Sequence, residues 1–175
     1  MSIKEAIKLI KELGGSRGLI SHMVTVYGIA TYMGSRLYAK GMPIDLDLLG
    51  EGAILHDIGR TKTHSAAHGY VGAQILREKG FREEVALIVE RHVGGGIGEE
   101  EAPLLGLPRK NYIPQSLEEK IVCYADKLAS IDGVKPFPEV LQEYKELLGP
   151  RHPAIKRLKA LHREIKSLLP DLRLR

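Results

Sequence analysis

Apolar residues recur at intervals of three and four along almost the whole chain, a spacing typical of amphipathic α-helices. The pattern predicts helices over 3–13, 19–40, 45–57, 69–79, 82–92, 117–131, 138–148 and 153–169. Glycines and prolines separate these segments, and Asp45 is placed to cap the third helix. We find no run in which apolar and polar residues alternate, so we predict no strand. The expected fold is all-α, a compact bundle of seven or more helices.

The stretch 99–115 contains three prolines, and we predict that it forms the longest loop, with a short turn of helix in it. The other connections are short. Because 175 residues are the usual size of one domain, we expect residues 1–175 to fold as a single unit.

Four of the seven histidines fall on inward faces of four different predicted helices. His22 lies on the apolar stripe of its helix, His56 and His92 end the stripes of theirs, and His68 begins the next helix. A single inward histidine is more often a core residue with a local hydrogen bond than a ligand. Four buried imidazoles without partners are costly, whereas one shared metal centre satisfies them together.

Two aspartates extend this set. Asp57 directly follows His56, and Asp126 lies within the helix predicted over 117–131. An aspartate in such a helix can simply bond to the backbone or pair with an arginine, but beside four imidazoles it is a candidate ligand. Mixed histidine and carboxylate ligands suit Mn, Fe, Co, Ni or Zn better than Ca.

The string HDIG at 56–59 is one form of the HD motif, with His22 before it and Asp126 after it. With these residues in this order, the chain resembles the HD metal-dependent phosphohydrolase superfamily over about 18–132. The helices over 138–169 lie beyond that motif-bearing core. The resemblance implies an all-α HD domain with a metal held by His22, His56, Asp57 and Asp126.

Three strings inside this span give a closer match, namely HGYVGAQIL at 68–76, ERHVGGGI at 90–97 and SLEEKIVCYADKL at 116–128. They resemble the HD subgroup that includes bacterial diadenosine-tetraphosphate hydrolases, and still more the uncharacterised archaeal HDIG proteins. In two-metal HD branches, two further histidines lie between the HD pair and the last aspartate, and His68 and His92 occupy those places. The resemblance therefore implies a binuclear centre bridged by Asp57. HD-GYP cyclic-dinucleotide phosphodiesterases have lysine where this chain has Arg60 and carry a GYP signature that is missing here.

The implied cofactor is a pair of divalent metals of open identity, Mn, Fe, Co, Ni, Zn or Mg, which would activate a hydroxide between them. We assign Asp57 and Arg60 as catalytic residues, the arginine as a bidentate clamp on phosphate oxygens. Lys62 and Lys127 are further candidates for binding the substrate. The alternative for Arg60 and Lys62 is an ordinary solvated turn, and the alternative for Lys127 is pairing with an acid.

The predicted function is hydrolysis of a phosphoester or phosphoanhydride in a nucleotide or related small phosphorylated compound. One alternative is a non-catalytic metal-binding or regulatory HD module, although every ligand position is filled. Another is an RNA-directed phosphodiesterase that docks RNA on a basic C-terminal helix.

Charge and composition bear on the partners. The net charge is +4, and residues 151–175 carry eight Lys and Arg against two acids. We interpret this excess as the solvated outer face of a helix whose inner stripe is apolar. Trp is absent and 5% of residues are aromatic, which argues against base stacking and a nucleic-acid partner. A homodimer is compatible with the pattern but not required by it.

No apolar run is long enough to span a bilayer, and the N-terminus lacks the apolar stretch of a signal peptide. The single cysteine excludes a disulfide framework. We therefore expect a cytoplasmic protein without membrane association. Cys123 is interpreted as a core residue, His152 and His162 as surface residues, and His64 as a loop residue, with a role near the metals as its alternative.

Overall fold

The computed structural model describes residues 1–131 and 133–174 and confirms the all-α fold over them. The helices are α1 (Ile3–Glu12), α2 (Arg17–Ala39), α3 (Leu46–Leu55), α4 (His68–Glu78), α5 (Glu83–Arg91), α6 (Leu117–Leu128), α7 (Phe137–Leu148) and α8 (Pro153–Leu168). Short 3-10 helices cover Ile58–Thr61 and Ala102–Leu105. The second of these is the helical turn predicted within 99–115.

Polar side chains fix the starts of several helices. Ser2 and Glu5 form a reciprocal capping box at α1. Ser16 and Ser116 accept hydrogen bonds from backbone N–H groups in the first turns of α2 and α6. Asp45 caps α3 through the Leu48 N–H, as predicted.

The prediction of helix through 131 and of no strand was wrong after α6. The helix ends at Leu128, and β1 (Ala129–Ser130) pairs antiparallel with β2 (Gly133–Val134). Two local features explain the difference. Gly133 has φ of +121°, which a glycine adopts without strain, and the Lys135 N–H closes the end of α6 by donating to the Leu128 carbonyl.

The main core lies between α2, α3, α5 and α6. α3 is buried along most of its length, from Leu48 to Leu55 except Glu51, because neighbours cover it on several sides. Within the described residues, no helix is long and apolar enough to cross a membrane.

The 3-10 helix after α3 lies unusually close to α4. A Cβ atom on Gly59 would be 1.9 Å from the carbonyl oxygen of His68 and 2.7 Å from the backbone nitrogen of Gly72. Only a residue without a side chain permits this approach, so the glycine of the HDIG string sets the position at which α4 begins.

α8 covers one side of the main core, and the buried positions of its predicted inner stripe include Ile155, Leu158, Leu161 and Ile165. The loop between α5 and α6 forms a second, smaller apolar cluster around Tyr112. The buried Glu90 accepts from Arg77 and from Lys110, which ties this loop to α5.

Candidate metal centre

The six residues predicted as metal ligands converge from five helices. They are His22 in α2, His56 at the end of α3, Asp57 next to it, His68 at the start of α4, His92 at the end of α5 and Asp126 in α6. We refer to these six residues as the His/Asp cluster.

One half of the cluster, the His22 half, consists of His22, His56 and Asp126. The Asp126 Oδ1 atom lies 3.0 Å from the His22 Nε2 atom and 3.4 Å from the His56 Nε2 atom. The two imidazole Nε2 atoms are 3.3 Å apart. These three side chains therefore place ligand atoms within the reach of one ion.

The other half, the His68 half, consists of His68 and His92. Their Nε2 atoms are 3.2 Å apart, and each lies 3.2 Å from the Asp57 Oδ1 atom. The second oxygen of Asp57, Oδ2, faces the His22 half and is 3.7 Å from the Nε2 atoms of His22 and His56. Asp57 therefore presents one oxygen to each half.

Three of the imidazoles are held by a carbonyl three residues earlier in the chain. The Nδ1 atoms of His56, His68 and His92 lie 2.8, 2.7 and 2.6 Å from the carbonyl oxygens of Ala53, Ser65 and Val89. A carbonyl can only accept, so Nδ1 carries a proton in each of these three rings, and Nε2 is the atom directed at the cluster.

The distances between the ligand atoms of the cluster are those expected of residues that hold a metal. Lone pairs of imidazole nitrogens and carboxylate oxygens at 3.2–3.4 Å repel one another unless a cation lies among them. Protons supply that cation only in part. Asp57 and Asp126 raise the pKa of His56 against its burial, whereas burial lowers the pKa of His92 to about 4 and keeps that ring neutral near pH 7. Nitrogen and carboxylate donors in this number suit divalent transition metals.

Both aspartates are ionised despite their burial. Desolvation opposes ionisation of Asp57, but His56, His68 and His92 more than offset it and hold its pKa well below the usual range. For Asp126, desolvation is offset chiefly by Lys127, so its pKa also lies well below the usual range. The Lys127 ammonium donates to the Asp126 carboxylate, and this pairing raises the pKa of the lysine although burial opposes the charge.

A cleft of about 560 Å³ opens over the cluster. Its lining includes His22 and Asp57 from the cluster, Arg60 and His64 beside them, and the segment 14–16 before α2. The Arg60 Nε atom donates to the Asp57 Oδ2 atom at 2.8 Å, and the side chain remains 34% exposed. Arg60 therefore connects the cluster with the space that a substrate would enter.

The other two residues predicted to bind the substrate lie elsewhere. Lys62 is exposed and does not line this cleft. Lys127 is buried against Asp126, which is the alternative considered from the sequence. His64 is a loop residue as interpreted, yet it is exposed at the cleft wall, a position that only the packing of the 58–68 segment reveals.

The other residues discussed from the sequence have structural roles. Cys123 is fully buried and burial raises its pKa to about 12, in line with a core residue. His152 caps α8 by accepting from the Ala154 N–H. His162 is half-buried at the surface, where its ring stacks on Phe137 at 3.9 Å and its Nδ1 atom lies 2.7 Å from the Tyr124 hydroxyl.

Comparison with known proteins gives a consistent assignment. A family model described as HD domain matches residues 19–131. An uncharacterised protein of Methanocaldococcus jannaschii is 45% identical over 97% of this chain and 99% of its own length. A Picrophilus torridus protein named tRNA (cytidine(56)-2'-O)-methyltransferase is 40% identical over 94% of this chain, which spans only 46% of that relative.

Among solved structures, the fold resembles the HD domain of the L. monocytogenes phosphodiesterase PgpH in complex with cyclic-di-AMP. The TM-score is 0.57 at 17% identity, and the match covers 96% of this chain and 99% of that one.

Proposed function

Because the chain belongs to the HD domain family, we propose that it is a divalent-metal-dependent phosphohydrolase acting on a nucleotide or a related small phosphorylated compound. The reaction is hydrolysis of a phosphoester or phosphoanhydride bond. The six residues of the His/Asp cluster are the proposed ligands of two metals, with Asp57 as their bridge.

One observation carries the proposal. Asp57 directs its Oδ1 atom to the His68 half and its Oδ2 atom to the His22 half, while three fixed imidazoles direct their Nε2 atoms to the same space. A structural cluster of histidines would satisfy its lone pairs with donors, whereas here the neutral His92 ring directs its Nε2 lone pair at the Asp57 carboxylate. Bound divalent ions supply Lewis acidity at such a site, lowering the pKa of a coordinated water and neutralising phosphate charge.

The protein's own groups supply orientation and charge. The carbonyls of Ala53, Ser65 and Val89 fix the imidazoles, and Lys127 keeps Asp126 ionised in its buried position. Arg60 uses Nε on Asp57, which leaves the two terminal nitrogens of the guanidinium to donate to phosphate oxygens in the cleft. Lys62 and Lys127 are not part of this proposal for substrate binding.

Two considerations support a nucleotide as the substrate. The cleft of about 560 Å³ falls in the size range of small-molecule sites, and its lining includes polar side chains and the guanidinium of Arg60. The solved PgpH HD domain holds a cyclic dinucleotide, cyclic-di-AMP, on a similar fold.

A second candidate is hydrolysis of a phosphodiester in RNA. It is favoured by the relative named tRNA methyltransferase, whose match includes nearly the whole of this chain. A third possibility, a non-catalytic metal-binding or regulatory module, requires that the cluster bind metal without turnover.

A hydrolysis screen of the purified protein tests these candidates. Metal-free protein is loaded separately with Mn, Co, Ni, Mg, Fe and Zn, metal content is measured by mass spectrometry, and mononucleotides, dinucleoside polyphosphates, cyclic nucleotides and short RNA are offered. Asp57→Asn should lose both metal and turnover. Asp171→Asn, which removes an exposed carboxylate, is the matched control.

The outcomes separate the candidates. Release of phosphate or a nucleotide from a small substrate supports the first proposal, and cleavage of RNA alone supports the second. Stoichiometric metal without hydrolysis of any substrate indicates the regulatory module. Full turnover by Asp57→Asn would contradict the assignment of Asp57 as the bridge.

A further inference from the structure

A second concave surface lies on α8, separate from the His/Asp cluster. It is a cavity of about 590 Å³ between the start of α7 and the outer face of α8, and it shares no lining residue with the cleft over the cluster. Its walls contain the cationic side chains of Arg151, Lys156, Lys159 and Arg163, and no acid is among its described lining residues.

These four cations are exposed, and none forms an ion pair with an acid in the part of the chain that the structure describes. Nearby cations differ, since Arg157 pairs with Glu101 and Lys120 pairs with Glu164. Lys156, Lys159 and Arg163 follow one another at spacings of three and four, so they lie side by side on one face of α8. Like charges at these spacings destabilise a helix, and an anion held among them removes that penalty.

A neighbouring cavity of about 260 Å³ shares two lining residues with the first, Phe137 and His162. Lys135, which pairs with Glu143, and Lys166 line this second cavity, and its described lining residues include no acid. At the junction, the rings of Phe137 and His162 are stacked with an interplanar angle of 5°. We call the two cavities together the α8 groove. Phe137 is buried beneath the half-buried His162 ring, so the imidazole is the aromatic face open to the cavities. An aromatic face beside cationic walls is the combination that single-stranded nucleic acids need, with cations for the phosphates and a π-face for a base.

We propose that the α8 groove binds a single-stranded nucleic acid through its phosphates, with a base placed against the Phe137–His162 pair. The extent of the groove favours a strand over a lone phosphate, since cationic side chains line both of its cavities. Its concave shape and aromatic junction favour an unpaired strand over a duplex, whose bases are stacked inside. This surface is independent of whether the cluster is catalytic, and it replaces the interpretation of the basic face as merely solvated.

Salt-dependent binding measures the number of phosphate contacts. We would titrate the full-length protein into a labelled 12-nucleotide RNA and a DNA of the same sequence, follow fluorescence anisotropy, and check the oligonucleotide length by gel afterwards. Four phosphate contacts predict that log K falls with log[salt] with a slope of about −3, or an affinity loss of about fifty-fold between 50 and 200 mM salt.

A matched pair of variants locates the contacts. Lys156→Gln/Lys159→Gln/Arg163→Gln removes three positive charges from exposed positions in the groove, and should reduce the salt slope to about −0.7. Lys4→Gln/Lys8→Gln/Lys11→Gln removes the same charge from exposed positions near the N-terminus and should behave as wild type. Equal losses in the two variants would overturn the proposal, because binding would then follow net charge alone.

The aromatic pair is tested separately. His162→Ala should weaken binding of the oligonucleotide by about five-fold or more while leaving its salt slope unchanged, because one stacking contact is lost. Inorganic polyphosphate of matched charge should bind equally well to wild type and to His162→Ala. Tighter binding of polyphosphate or of duplex than of the single strand would overturn the assignment, and thermal unfolding of each variant verifies that the fold is retained.

Discussion

Replacing Gly59 with alanine should disable the His68 half of the cluster while sparing the His22 half. The added Cβ atom would lie 1.9 Å from the His68 carbonyl oxygen and 2.7 Å from the Gly72 backbone nitrogen. Both are backbone atoms, so neither can rotate away. To reach 3.0 Å, the shortest separation that real Cβ atoms show, the start of α4 must move by more than 1 Å.

Such a displacement has two calculable effects. The His68 Nε2 atom lies 3.2 Å from both the Asp57 Oδ1 and His92 Nε2 atoms, and a shift above 1 Å separates these ligand atoms. Overpacking against a rigid neighbour costs about 3 kcal/mol, the upper part of the usual range. For a chain of this length, that cost corresponds to a fall in Tm of roughly 6–12 °C.

The assays are urea unfolding of the metal-free protein and metal content at saturation. Wild type should bind two metals and Gly59→Ala one. Gly28→Ala is the matched control, because Gly28 is an exposed residue within α2 where an added Cβ meets nothing within 4 Å. This control should be more stable than wild type by about 0.5–1 kcal/mol.

Two results would refute the reasoning. If Gly59→Ala unfolds within about 0.5 kcal/mol of wild type, the close approach of the 3-10 helix to α4 does not constrain this segment. If it is destabilised as expected but still binds two metals, His68 is not a ligand that depends on this packing.

Three further predictions follow from the side-chain environments. Arg60→Ala should lower kcat/KM by roughly ten- to a hundred-fold at unchanged metal content. Arg60→Lys should recover only part of this loss, because only a guanidinium donates twice in one plane. Equal rates in all three proteins would make Arg60 an ordinary turn residue. Cys123, whose pKa burial raises to about 12, should be unreactive toward a disulfide reagent at pH 8 until the protein unfolds, so fast labelling of the native protein would contradict its burial. Glu90→Gln should destabilise the fold by about 1–2 kcal/mol in urea unfolding, because Arg77 and Lys110 lose their shared buried carboxylate. The control Glu99→Gln, at an exposed position, should have little effect.

The sequence predicted the helices and the set of converging histidines because both depend on helical phase. His22, His56 and His92 lie three or four residues from buried apolar positions, so their direction follows from the helix that carries them. The position of Asp126 in its predicted helix likewise indicated that its side chain points into the interior of the protein. These inferences need only the periodicity of a single element.

Other features depend on contacts between elements, which periodicity does not contain. Asp57 divides its oxygens between the two halves because the chain turns into a 3-10 helix directly after it. His64 reaches the cleft through the path of a loop, and His162 meets Phe137 because α7 and α8 pack together. The α8 groove is formed from two elements in the same way, so the sequence showed its charge but not its concavity.

Three of the four imidazoles bond through Nδ1 to a carbonyl three residues earlier, and this affects how metal enters and leaves the site. His56, His68 and His92 are each oriented by a turn of their own chain segment, so their orientation does not depend on an ion being present. The side chains of these ligands therefore lose most of their conformational entropy when the protein folds, and they lose little more when a metal binds. Exchange of one metal for another should accordingly be limited by access through the cleft rather than by local unfolding of α3, α4 or α5.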